Sequence, residues 1–274
     1  MDSIYIQPIF VPDKMRFERN MASLESFFSY MESNIYDLKY AIGGWVSSED
    51  YWRDIVSLVN SRCPQHKITL MRFDRNYGKA TVVNKLYDRV KEKNVNFKYF
   101  LTADSDILFP KETEHLIERL EDVAEKSVDS RKKPFGMIGL NQLVNGCHFQ
   151  SIYQNEYKIT NRYGKEERVV YPTAPSGIAG GCLFFSKEAW DKAGGYRVQG
   201  IYAGDDAYVI HDIHNNGYTY QVTHDIGIIH PHEDDKKYAE WKVKTCQRDT
   251  DGQRKNNIDK YITEAESFWN NHKV

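Results

Sequence analysis

Phe97-Lys98-Tyr99-Phe100-Leu101-Thr102-Ala103-Asp104-Ser105-Asp106-Ile107-Leu108-Phe109 is the stretch on which the reading of this chain turns. Tyr99, Phe100 and Leu101 form the body of a buried strand, and Pro110 halts the apolar run that follows the two acids. Carboxylates at the end of an apolar strand are costly to bury unless a cation or hydrogen bonds compensate them. On extended backbone a spacing of two turns both side chains to one side, where they address one bound group. A hard divalent ion carrying a diphosphate is such a group, because Mg²⁺ and Mn²⁺ take a few carboxylates together with phosphate oxygens. An Asx-rich turn that simply ends a strand has the same spelling, so the rest of the chain must decide.

Outward from this stretch, the N-terminal half alternates. Ile4 to Val11 reads as a strand ending at Pro12-Asp13, and residues 14–32 as a helix with Met21, Leu24, Phe27, Phe28 and Met31 at helical spacing. Leu38 to Val46 is a second strand whose end Gly43-Gly44 would loosen, followed by a helix over residues 49–60 capped by Ser47 or Ser48. Lys67 to Phe73 is a third strand. The turn Asp74-Arg75-Asn76-Tyr77-Gly78-Lys79 then enters a helix carrying Val82, Val83, Leu86 and Val90. Such alternation predicts an α/β fold, a mainly parallel sheet with helices on both faces. Ligands on these sheets lie beyond the carboxyl ends of the strands, where Pro12, the Asn76–Lys79 turn and the Asp104/Asp106 pair all fall.

The spacing predicts one amphipathic helix over residues 111–127 and a strand over Phe135 to Leu140, whereas the polar, Tyr-rich residues 141–176 suit either a sheet extension or a loop near substrate. Gly180-Gly181 precedes the apolar run Cys182-Leu183-Phe184-Phe185 and reads as a close approach of backbone to a ligand or as a bulge. Gly204-Asp205-Asp206 opens a helix that ends at Gly217. One acid suffices as an N-cap, which leaves the other to act as a general base toward an acceptor hydroxyl. Tyr218 to Val222 and Ile226 to Ile229 read as two short strands leading to His230-Pro231-His232, whose histidines are candidate metal ligands.

Composition sets outer bounds. The chain has 274 residues and a formal charge of −2, which gives no broad basic field for nucleic acid. Its four cysteines show neither close pairing nor zinc spacing, so reduced thiols and a cytoplasmic protein are expected. The first residues do not read as a signal peptide and no apolar run is long enough to span a bilayer. Residues 233–274 read as a helical extension packed on a main domain of residues 1–232.

Taken as an ordered set, these motifs resemble the GT-A fold glycosyltransferases, most closely those of the family 2 type, over residues 1–232. Arg75-Asn76-Tyr77-Gly78-Lys79, with Asn84 beyond it, is similar to their nucleotide-contacting segment, and Asp104-Ser105-Asp106 to their Asp-x-Asp. Gly180-Gly181 is similar to the glycine pair before the acceptor strand, and Gly204-Asp205-Asp206 to Gly-Glu-Asp with Asp205 replacing the glutamate. The resemblance implies transfer of a sugar from a nucleoside diphosphate sugar to an acceptor hydroxyl, with inversion. Pro12, Asn76, Gly78, Lys79, Asp104, Gly180 and Gly181 would hold the donor. Asp106 with His230 or His232 would hold Mn²⁺ or Mg²⁺, and Asp206 or Asp205 would be the base. The acceptor is left open among glycans, lipid-linked saccharides, protein side chains and modified nucleic-acid bases. Two rivals keep the same scaffold, a nucleotidyltransferase and a non-catalytic binder. The first would normally carry a basic, Gly-rich loop where this chain has Phe10-Val11-Pro12-Asp13-Lys14.

Overall fold

A computed structural model describes residues 2–30, 38–126, 133–142, 153–172, 178–198 and 205–230. The side chains of residues 30, 153–155 and 205 lie outside the description, as does everything after His230, including His232 and the extension expected over 233–274.

Strand β1 (Ser3–Val11) shows why the sheet has two cores. Its residues alternate between faces, and nearly all are buried because helices cover both sides. Tyr5, Ile9 and Val11 pack with α1 (Lys14–Tyr30) and α2 (Glu49–Arg62), in a cluster shared with α4 (Leu116–Lys126). Ile4 and Ile6 pack with α3 (Lys79–Glu92), α5 (Lys187–Ala193) and α6 (Asp205–Asn215). Between these layers runs one nine-stranded sheet containing β2 (Lys39–Val46), β3 (Ile68–Phe73), β4 (Tyr99–Ala103), β5 (Phe135–Gln142), β6 (Tyr153–Thr160), β7 (Glu166–Pro172), β8 (Cys182–Ser186) and β9 (Thr219–Ile228). Their order is β3-β2-β1-β4-β8-β5-β9-β7-β6. The first four are parallel, as the alternation predicts. β8 then enters antiparallel between β4 and β5, β9 runs parallel to β5, and β7 and β6 close the far edge antiparallel.

Three local readings change and a fourth, left open between two alternatives, is decided. Gly43 and Gly44 do not loosen the end of β2 but lie within it, paired with Pro8 and Ile9 of β1. A Cβ at Gly44 would collide with the Ile9 carbonyl, and one at Gly43 with the Met71 carbonyl, so only glycine fits. The helix expected over 111–127 is broken. Thr113 closes a 3-10 turn back to the Pro110 carbonyl (N 2.9 Å, Oγ1 2.6 Å), His115 takes a left-handed φ of 58°, and α4 starts at Leu116. The two strands expected over 218–229 are one, β9, with a register shift against Gly139–Asn141. The polar His224-Asp225 that suggests a break belongs to this irregular stretch, where the Thr223 hydroxyl donates to the Ile226 carbonyl (2.7 Å). Of residues 141–176, Asn141 and Gln142 end β5 and the described residues 153–172 form the β6–β7 hairpin, a sheet extension.

Candidate active site

Beyond Ala103 the ladder to β8 continues for one more bond, with the Asp104 N–H donating to the Gly181 carbonyl (2.7 Å). The chain then turns, Ile107 N–H returning to the Asp104 carbonyl (3.2 Å), and Leu108 pairs antiparallel with Ile229 just beyond β9. That bridge sets His230 beside Asp106. Asp104, Asp106 and His230 each offer a ligand atom, and these atoms lie within 4.8 Å of one another. The three residues that the sequence assigned to ribose and metal therefore share one place. Two carboxylate oxygens and an imidazole nitrogen form a donor set suited to Mn²⁺ and, less well, to Mg²⁺.

Each acid has a cationic neighbour. Lys79, the first residue of α3, places Nζ 2.7 Å from Asp104 Oδ1 and 2.8 Å from the Gly180 carbonyl oxygen. Burial raises the Asp104 carboxyl above its ordinary pKa, an effect Asp106 reinforces and the charges of Lys79 and His230 oppose. Asp106 Oδ2 accepts from Arg16 Nη1 (3.1 Å), while its Oδ1 stands 3.4 Å from His230 Nε2. The other ring nitrogen of His230 lies 3.4 Å from the Gln142 amide, which serves either imidazole tautomer by presenting oxygen or nitrogen.

The other sequence-predicted residues take varied places, Asp205's side chain and His232 lying outside the description. Asn76 Oδ1 accepts from the Gly78 N–H (2.9 Å), shaping the turn, and Gly78 at φ 79° delivers Lys79 to the helix start. Pro12 stands at the end of β1, where the Val11 carbonyl accepts from Ser47 N–H. Asp206, in the first turn of α6, caps its own helix with Oδ1 on the Ala207 N–H (3.0 Å), and its carboxylate abuts the Gly180 backbone so closely that a Cβ there would collide with it. A Cβ on Gly181 would come within 2.7 Å of His230 Nδ1. The glycine pair thus makes room for the Asp206 and His230 side chains of the chain itself. Asn84 does not face this cluster. Its amide clasps the backbone of Tyr196 from both sides, donating to the carbonyl (2.9 Å) and accepting from the N–H (3.0 Å).

Sequence reasoning missed Arg16 and Gln142. Gln142 ends β5, so a polar residue closing an apolar strand was the available signal. Arg16 follows Pro12-Asp13 in the first turn of α1, where the Asp13 carboxylate accepts from its N–H (2.9 Å).

No family model matches the sequence, and no curated protein matches it. Among solved structures, the chain is similar to S. aureus TarS residues 1–349, with a TM-score of 0.58 and 13% identity over 99% of this chain and 74% of that one. The same S. aureus protein in complex with UDP-GlcNAc gives a TM-score of 0.53 and 13% identity, covering 98% and 73%. The catalytic domain of Drosophila beta1,4galactosyltransferase 7 with xylobiose gives 0.45 and 12%, covering 94% and 80%. The chain has the GT-A fold. No helix among the described residues is long and apolar enough to cross a membrane.

Proposed function

We propose that this chain is a metal-dependent, inverting glycosyltransferase that moves a sugar from a nucleoside diphosphate sugar to an acceptor hydroxyl. The observation that carries this reading is the convergence of Asp104, Asp106 and His230, with Gly181 set against the His230 ring and the adjoining Gly180 against the Asp206 carboxylate. Asp106 Oδ1 and His230 would hold Mn²⁺ or Mg²⁺, with Asp104 on the ion, its water or the ribose, and His232, two residues further along the sequence, stays a candidate from the sequence alone. When bound, the ion neutralises charge on the departing diphosphate. Asn76, Gly78 and Pro12 line the donor side, and the N-terminus of α3 brings Lys79 and its helix dipole toward the phosphates. Asp206 takes the acceptor proton on a carboxylate oxygen as the acceptor oxygen bonds to the anomeric carbon and the bond to the diphosphate breaks. Because a structural neighbour binds UDP-GlcNAc, UDP is the first donor nucleotide to test.

The test is a thermal-shift series with UDP, other nucleoside diphosphates and their sugars, with Mn²⁺ or with chelator, alongside donor hydrolysis. A native-state ligand raises the melting temperature by mass action. One nucleotide should stabilise the protein, and only with metal. Asp206→Asn should keep that shift while losing on the order of 10²–10⁴ in turnover. Binding indifferent to chelation would overturn the metal assignment, and no nucleotide shift at all would favour the non-catalytic scaffold.

A further inference from the structure

The two carboxylates are neutralised in different ways. Lys79, which pairs with Asp104, is a long, partly exposed side chain (22%). Arg16, which pairs with Asp106, has a side chain only 5% exposed, against 15% for Asp106. Asp13 fixes the backbone of Arg16 at the start of α1, where the side chain shares a face with the fully buried Asn20. Lys79 is thus the more exposed of the two cations, and Arg16 is the enclosed one, set on Oδ2.

From this fixed geometry we propose that Arg16 governs metal loading: it keeps the affinity of the nucleotide-free site for a divalent cation low, so that the ion enters together with a diphosphate. The inference rests on the metal reading above. A guanidinium on one oxygen of the ligating carboxylate leaves the other for the ion and places a positive charge close to where a dication must sit. In a partly buried site that repulsion is weakly screened. The negative charge of a diphosphate offsets it. A free site is thereby protected from stray divalent ions, and the acid is held in the rotamer that points Oδ1 at His230.

The experiment is Mn²⁺ binding by electron paramagnetic resonance, with and without UDP and corrected for Mn²⁺ that UDP binds in solution, on the wild type, Arg16→Met, Arg16→Gln and Arg16→Lys. Melting temperatures identify the variants that are folded. In the wild type, UDP should tighten Mn²⁺ binding at least about tenfold, and without UDP the neutral variants should bind Mn²⁺ roughly tenfold more tightly than the wild type. Arg16→Lys, which keeps the charge, should stay near the wild type. Neutral variants that bind Mn²⁺ as the wild type does, or more weakly, as loss of a purely structural support would produce, overturn the proposal. So does a wild type whose Mn²⁺ affinity is indifferent to UDP, whether or not the neutral variants fold. Absence of Mn²⁺ binding in every protein, even with UDP, would instead overturn the metal reading itself.

Discussion

Gly180 and Gly181 are adjacent, yet each is required by a different functional group. A methyl at Gly180 would displace the Asp206 carboxylate, and one at Gly181 would press on the His230 ring at 2.7 and 3.0 Å and on the Gln142 amide at 3.2 Å. Gly180→Ala is therefore expected to lower kcat by about 100-fold or more with little change in the Mn²⁺ concentration needed for half activity. Gly181→Ala should raise that concentration, with a smaller effect on kcat at saturating metal. Kinetics at varied Mn²⁺ separates the two, and the reverse pattern would break the assignment of base and ligand. At this scale the sequence was informative wherever a residue stood out from its surroundings: acids closing an apolar strand, a histidine after one, a glycine pair before one. Arg16 was invisible because an arginine in the first turn of a helix looks the same whether it faces solvent or a buried acid. Gly43 and Gly44 were misread because nothing local tells a frayed strand end from a close approach of neighbouring backbone.

Helix α4 illustrates what periodicity conveys and what it omits. Its apolar residues Leu116, Ile117, Leu120 and Val123 face the core as the pattern requires, but Glu118, Arg119, Glu121 and Asp122 are buried too. Glu121 is held by the Asp2 N–H and the Ser3 hydroxyl, and the β6–β7 hairpin supplies partners for Arg119 and Asp122. Arg119 makes a bidentate pair with Glu167 (2.5 and 2.9 Å), and Arg162 contacts Asp122 through Nε and Nη2 (3.0 and 2.8 Å). These partners come from the stretch whose periodicity was unreadable, so an apparently solvated face had no visible cover. Glu118 gains least from the arrangement: burial raises its carboxyl above the ordinary value of 4.5. Keeping it ionised in the folded state costs free energy at any pH above its folded pKa, and that cost vanishes below 4.5, where it is protonated folded and unfolded alike. Glu118→Gln should accordingly stabilise the protein at pH 7, with the advantage fading toward pH 4. Denaturant unfolding at the two pH values checks the sign.

Across the whole molecule, the parallel half of the sheet was legible because each strand announces itself between helices. The second half was not, because β8 enters against the direction of its neighbours and β9 takes its place beside β5 through long-range pairing. The hairpin that completes this half is held by ion pairs with depressed acids. Burial raises Asp122 and Asp225, but hydrogen bonds from Arg162 and Arg168 outweigh it and hold both carboxyls below the ordinary 3.8. Their contribution to stability is present above that value and is lost as pH falls through the lower folded pKa. In acid, hydrogen exchange should show β6 and β7 opening before β1, β2 and β4, and Asp225→Asn should flatten the acid limb of the stability curve. Uniform opening of the sheet would contradict this order.

The bridge between Leu108 and Ile229 has a consequence for how the protein comes into being. Asp106 and His230 meet beside that pairing, which joins residues far apart in the chain. Synthesis proceeds from the N-terminus, so a ribosome that has not yet released His230 carries a chain with its acids and arginine in hand and no assembled centre. A chain cut short before His230 keeps Asp104 and Asp106 but lacks the third member of the cluster, and is expected to lack the proposed metal site.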